Sequence, residues 1–128
     1  MTNEPAEVVS TYTGFKRNLL YAIAALGGTP DTDVEKRPYG LGIKRKVESW
    51  YGEQINHGRL YPNLDQLADD GFVSVADHDR RTNAYALTDA GVDAIVAYHT
   101  TVIGPALQEA GVFEDVIPPE IVDSGVLA

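Results

Sequence analysis

Phe15, Leu19, Ile23 and Leu26 recur at intervals of three and four, the spacing that aligns one face of an α-helix. Thr13 before them is a plausible N-cap, and Gly27-Gly28 end the run. The polar stretch from Thr29 to Pro38 reads as a loop. Tyr39, Ile43, Val47 and Trp50 then line one face of a second helix, with Lys44, Arg45 and Lys46 mostly off it and Gly52 closing it. A four-residue turn, Glu53 to Asn56, leads to a third helix whose buried stripe is Leu60, Leu64 and Leu67 and whose end is Gly71. Arg59, Asn63 and Gln66 share an adjoining, more exposed face.

The period then changes. Phe72 to Ala76 and Asn83 to Leu87 read as strands joined by the charged turn Asp77 to Arg81, which together make a hairpin. Thr88 N-caps a long last helix with a broad apolar face of Ile95, Val96, His99, Val102, Ile103, Ala106, Leu107 and Ala110, kinked or broken at Gly104-Pro105. The order predicts a mostly α chain with a small β-hairpin, a winged helix-turn-helix carrying a long C-terminal dimerisation helix. Residues 1–12 are expected to be a flexible acidic lead, 13–91 the winged helix, and 92–128 the dimerisation helix and tail.

Composition narrows the classes. The chain has 128 residues, 44% of them hydrophobic, which suits one globular domain. No apolar run approaches the ~20 residues of a membrane span, and the acidic N-terminus lacks a signal-peptide pattern, so a cytoplasmic protein without membrane association is expected. Without cysteine there are no disulfides, thiolate metal sites or cysteine nucleophiles, and Met1 is the sole methionine. Oxidant sensing would have to use something other than sulfur.

The net charge of −9 taken alone argues against nucleic acid as a partner, but its distribution changes that reading. All ten basic residues lie between Lys16 and Arg81, and Thr82 to Ala128 holds seven acids and no Lys or Arg. Abundant carboxylates, few lysines and no cysteine suggest adaptation to high salt, since surface carboxylates hold water and cations where salt competes for both.

Within this frame the helix-turn-helix and hairpin carry groups suited to double-stranded DNA. Asn56, His57 and Arg59 open the third helix, Asn63 and Gln66 continue it, and Asn and Arg can contact adenine and guanine edges bidentately. Lys44 and Lys46 on the second helix and Arg80 and Arg81 at the hairpin tip are placed for phosphates. A pair of surface arginines most often only solvates a turn; what points to DNA is three basic clusters on three elements that converge in a winged helix. Tyr61 would be partly core and partly a phosphate contact, and Pro62 would shape the start of the recognition helix.

The runs Tyr39-Gly40-Leu41-Gly42-Ile43, His57-Gly58-Arg59-Leu60-Tyr61-Pro62-Asn63-Leu64 and Leu67 to Gly71 resemble the PadR-like winged-helix regulators. The similarity continues through Asp79-Arg80-Arg81-Thr82-Asn83, Tyr85 and Leu87-Thr88-x-x-Gly91 and covers roughly Thr13 to Val96; the acidic version with the His57–Leu64 run is similar to haloarchaeal members, one of which serves the response to reactive oxygen. The resemblance implies a homodimer built by the last helix with help from the first, acting on palindromic promoter sites, with Asn83 among the wing contacts. The residues agree: the face from Ile95 to Ala110 is more apolar surface than a three-helix core can cover. Ile95, His99, Val102, Ile103, Ala106 and Leu107 are the expected dimer contacts, and cations are expected to be taken up where carboxylates meet phosphates. The chain departs from many members in its short wing and acidic C-terminal region.

Other motifs carry less. Gly40-x-Gly42 lacks the third glycine and preceding strand of a dinucleotide site. Asp31-x-Asp33-x-Glu35 lacks the glycine and distal Glu of a calcium loop. His57, His78 and His99 share no metal-ligand spacing. No nucleophile–base pair or carboxylate dyad is visible, so no catalysis, metal or cofactor is expected. The alternative of another class is a protein-binding winged-helix adaptor without DNA binding, which should show an apolar exposed face on the third helix.

Overall fold

The computed structural model describes residues 5–79 and 82–111, with side chains over 7–77 and 82–111. Tyr12–Val92 forms one compact unit; the segments up to Thr11 and from Asp93 belong to a second. The lead expected to be flexible contains helix α1, Pro5–Thr11, with Val9 fully buried. Seven residues are too short a stretch for helical periodicity to register.

Helix α2 spans Gly14–Ala25, and the Thr13 hydroxyl caps it by accepting from Lys16 N–H at 3.2 Å. Phe15, Leu19, Leu20 and Ile23 form its buried face. The chain leaves through Gly27 at φ +83, and Gly28 N–H returns to the Ile23 carbonyl at 2.8 Å. The expected loop holds one 3₁₀ turn, Val34–Lys36.

Helix α3 is Gly40–Tyr51 and ends at Gly52, φ +72. Ile43 and Val47 are fully buried, but Tyr39 and Trp50 are 37% and 46% exposed. The four-residue stripe therefore overran the core at both ends: Tyr39 is the extended residue before the helix and bridges to Ala84, and Trp50 lies in the last turn. Helix α4, His57–Asp69, buries Leu60, Leu64 and Leu67 completely. It stops at Gly71, φ +84.

Strands β1, Val73–Asp79, and β2, Thr82–Leu87, pair antiparallel from Val73↔Leu87 to Asp77↔Asn83, then shift register so that Asp79 faces Thr82. The ladder runs into the segment expected to be a charged turn, because backbone pairing at an exposed tip needs no apolar side chains. Arg80 and Arg81 lie outside the described residues. The other edge of β2 is held by the ends of the 29–38 loop: Tyr85 N–H donates to Pro38 O and Leu87 N–H to Gly28 O, both at 2.9 Å.

Thr88 caps the next helix, α5, Asp89–Tyr98, by accepting from Gly91 N–H at 3.0 Å, while its own hydroxyl donates to Gly71 O at 2.6 Å. Its backbone N–H donates to Phe72 O at 3.1 Å. Gly91 seals this junction, since a Cβ there would stand 2.1 Å from that same Phe72 oxygen. Gly91→Ala is expected to cost about 1–3 kcal/mol through overpacking against backbone. A thermal melt reads it, and an unchanged Tm would mean that the junction yields freely.

A kink or break is expected at Gly104-Pro105; the backbone there stays right-handed helical, with Ile103 at φ −73, ψ −50 and Gly104 at φ −57, ψ −52, and changes its winding instead. A π turn, His99–Ile103, separates α5 from α6, Gly104–Glu109. Pro105 has no N–H and its ring crowds the carbonyl one turn back, so the helix widens there; Gly104 N–H reaches five residues back to His99 O.

Candidate nucleic-acid interface

The turn between α3 and α4 is fixed by Glu48. Its carboxylate accepts from Ile55 N–H at 2.7 Å and pairs with Lys44 at 3.5 Å. The Ile55 N–H, then the Lys44 and Arg45 charges, hold this carboxyl below its ordinary value. Ile55 itself is buried, which docks the turn. Lys44, expected to face phosphates, is thus half-buried and turned to Glu48, and Lys46 is also half-buried. Arg45, which the sequence reading did not single out, is exposed. Its position opposite the Ile43–Val47 stripe was the available signal.

On α4 the Asn56 side chain serves as N-cap, accepting from Gly58 N–H at 2.7 Å. On the face expected to be more exposed, Arg59 and Gln66 are exposed and Asn63 is half-buried, and all three also make contacts within the fold. The Arg59 guanidinium lies over the Phe15 ring at 4.0 Å, and Asn63 donates to Arg59 O at 2.7 Å. Gln66 accepts from Lys16, itself only 9% exposed and 4.9 Å from the centre of the Tyr12 ring. The Tyr12 hydroxyl donates to Asp70. Burial first, then that hydrogen bond and the Asp70 charge, push the Tyr12 phenol well above its ordinary value. The Arg59–Phe15 and Lys16–Gln66 contacts reach across to α2, so this flank of α4 braces the helix. Sequence periodicity could not show it, because α2 is about 50 residues away along the chain.

The opposite flank opens on the hairpin. His57 packs edge-on against Tyr61, with ring centres 6.0 Å apart. Tyr61, 41% exposed, lies so close to Gly40 that a Cβ there would be 2.7 Å from the phenol oxygen. Tyr39, Leu41 and Tyr61 line a cavity of about 330 Å³ together with Thr82, Asn83 and Tyr85 of the hairpin. Tyr85 is buried, which raises its phenol pKa, while a hydrogen bond with Asn83 opposes the rise. The structure therefore brings Tyr61 and Asn83 together from separate elements and adds Tyr39, Leu41 and Thr82.

In the C-terminal segment Ile95, His99, Ile103 and Leu107 are half-buried and Ala106 is exposed. Val96 and Val102 are 42% and 40% exposed. Among the described residues, no helix is long and apolar enough to cross a membrane, and no group of three His, Asp or Glu side chains converges on a metal site.

The model of the transcriptional regulator PadR-like family matches residues 33–97, the span from the 3₁₀ turn through α5. Among solved structures, the complex structure of hsRosR-S1 is 38% identical, with 94% of this chain and 98% of that one covered and a TM-score of 0.70. That of hsRosR-S4 is 36% identical over 98% and 100%, also at 0.70. RosR of Halobacterium salinarum, grown from NaBr, is 35% identical over 92% and 97%, at 0.66. No curated protein is significantly similar. The resemblance read from the Tyr39–Ile43, His57–Leu64 and hairpin residues leads to the same relatives. With a helix-turn-helix, a hairpin wing and these matches, the chain belongs to the PadR-like family of transcriptional regulators.

Proposed function

We propose that the chain is a sequence-specific DNA-binding regulator that acts in the cytoplasm as a homodimer on palindromic promoter sites at high salt. The observation that carries this is the seating of α4: Leu60, Leu64 and Leu67 are wholly buried, the opposite face is exposed, and the hairpin stands beside it. That is the arrangement in which a recognition helix enters the major groove and a wing reaches the flanking backbone. An adaptor would offer a continuous apolar face on α4, whereas the exposed Tyr61 and Pro62 are interspersed with exposed His57, Arg59, Asp65, Gln66 and Asp69. The similarity to hsRosR complexes supports the same reading.

In this reading His57, Tyr61 and Asn83 meet DNA along the flank that opens on the hairpin. Arg80 and Arg81 hold phosphates from the wing, and Arg45 and Lys46 hold them from α3, while Lys44 stays paired with Glu48. Asn56 and Asn63 keep one polar group each beyond their helix bonds. Arg59, stacked on Phe15, reaches the backbone at the groove edge. Arg59→Ala is then expected to weaken specific and random duplexes equally, and a loss confined to one operator position would make it a base reader. The dimer would form through Ile95, His99, Val102, Ile103, Ala106 and Leu107. An electrophoretic shift with the promoter of the chain's own gene at molar KCl tests the function; no shift there, with random DNA equally unbound, would favour the adaptor.

A further inference from the structure

With about 100° per residue, the positions of α4 opposite Leu60, Leu64 and Leu67 are Gly58, Pro62, Asp65 and Asp69, and all four are exposed. On one flank Arg59 and Gln66 contact Phe15 and Lys16 of α2, and Asp70 accepts from Tyr12 just before it. The first two turns therefore lead with a residue that has no side chain and one with a compact apolar ring. Pro62 also has no N–H to give to the Gly58 carbonyl. The first charged group on this crest is Asp65, which as a carboxylate only accepts hydrogen bonds.

We infer that this crest sets base preference: Gly58 and Pro62 let α4 approach the groove floor and pack against thymine methyls, and Asp65 selects bases that present an amino donor. The inference rests on the DNA-binding reading above and deepens it. Thymine carries the sole methyl in the major groove, and cytosine and adenine present amino groups there. A guanine offers acceptors at both exposed positions and would be repelled by Asp65. Arg59 and Gln66, the side chains whose chemistry resembles base readers, brace the helix instead. The long polar groups lie to one side, so the crest reads by shape and by exclusion.

The test starts from a pool of random duplexes bound by the full chain in molar KCl. Its enriched sequence is remade with uracil for each thymine in turn, which removes one methyl. Loss of about fourfold in affinity per contacted methyl is expected, the equivalent of one buried carbon. In Pro62→Ala, which favours the helix and so should stay folded, that thymine–uracil difference should shrink, because a single methyl covers less of the thymine methyl than the ring does. Asp65→Asn adds a donor and should relax the exclusion of guanine at one position. Enrichment with no uracil effect, or an effect undiminished in Pro62→Ala, overturns the crest while leaving DNA binding intact. A pool that never enriches, measured with correctly folded protein, overturns both readings.

Discussion

A Val102→Asp variant is expected to be monomeric and to lose operator binding in the same step. Val102 sits in the π turn, 40% exposed in the single chain, with Ile103 beside it half-buried. If these residues meet their counterparts in a second copy, the carboxylate enters an apolar seam without a cation. An uncompensated buried charge costs about 3–5 kcal/mol, and symmetry places the substitution on both copies. A palindromic site needs two recognition helices held at fixed spacing, so a monomer forfeits the second half-site. Light scattering and DNA titration on the same sample read both effects. A variant that remains dimeric would move the interface elsewhere, first to α2.

Affinity for the operator is expected to stay level or rise as KCl increases over some range. Ordinary DNA binders lose about 10³-fold or more between 50 and 200 mM salt when they neutralise six or more phosphates. Here the net charge is −9. Asp65 and Asp69 are exposed on α4, and Asp77 is exposed on the hairpin near Asp79. At low salt these carboxylates repel phosphates at long range. At ~1 M salt the Debye length is ~3 Å, which removes that repulsion but leaves direct contacts in place. Cations taken up between carboxylate and phosphate would add to the effect. A steep, monotonic loss from low to molar KCl would return the protein to ordinary counterion release. Asp77→Asn should shift the slope toward that behaviour, because it removes a repulsion beside the wing.

The buried skeleton was legible where periodicity is strong. Leu60-Leu64-Leu67, Ile43-Val47, the caps at Thr13 and Thr88 and an irregularity in the last helix next to Gly104-Pro105 all followed from local rules. The hairpin was legible too, although its ladder extends further than apolar residues alone suggest. Helix α1 was not, since its seven residues give too little pattern. The candidate site was harder to read. Periodicity places Arg59, Asn63 and Gln66 off the core, but whether they face DNA depends on Phe15, Lys16 and Tyr12 from another helix. Lys44 likewise looked like a free cation because its pairing with Glu48 serves a turn that the sequence does not display. Chemical type suggested which residues could contact DNA, and tertiary contacts decide which of them remain available.

Footprinting the chain on the promoter of its own gene in molar KCl tests the central claim most directly. A dimeric winged-helix regulator should protect two symmetric half-sites, their centres about one helical turn or a multiple apart, and Val102→Asp should erase both together. Absence of protection, or uniform protection that ignores sequence, would contradict the account.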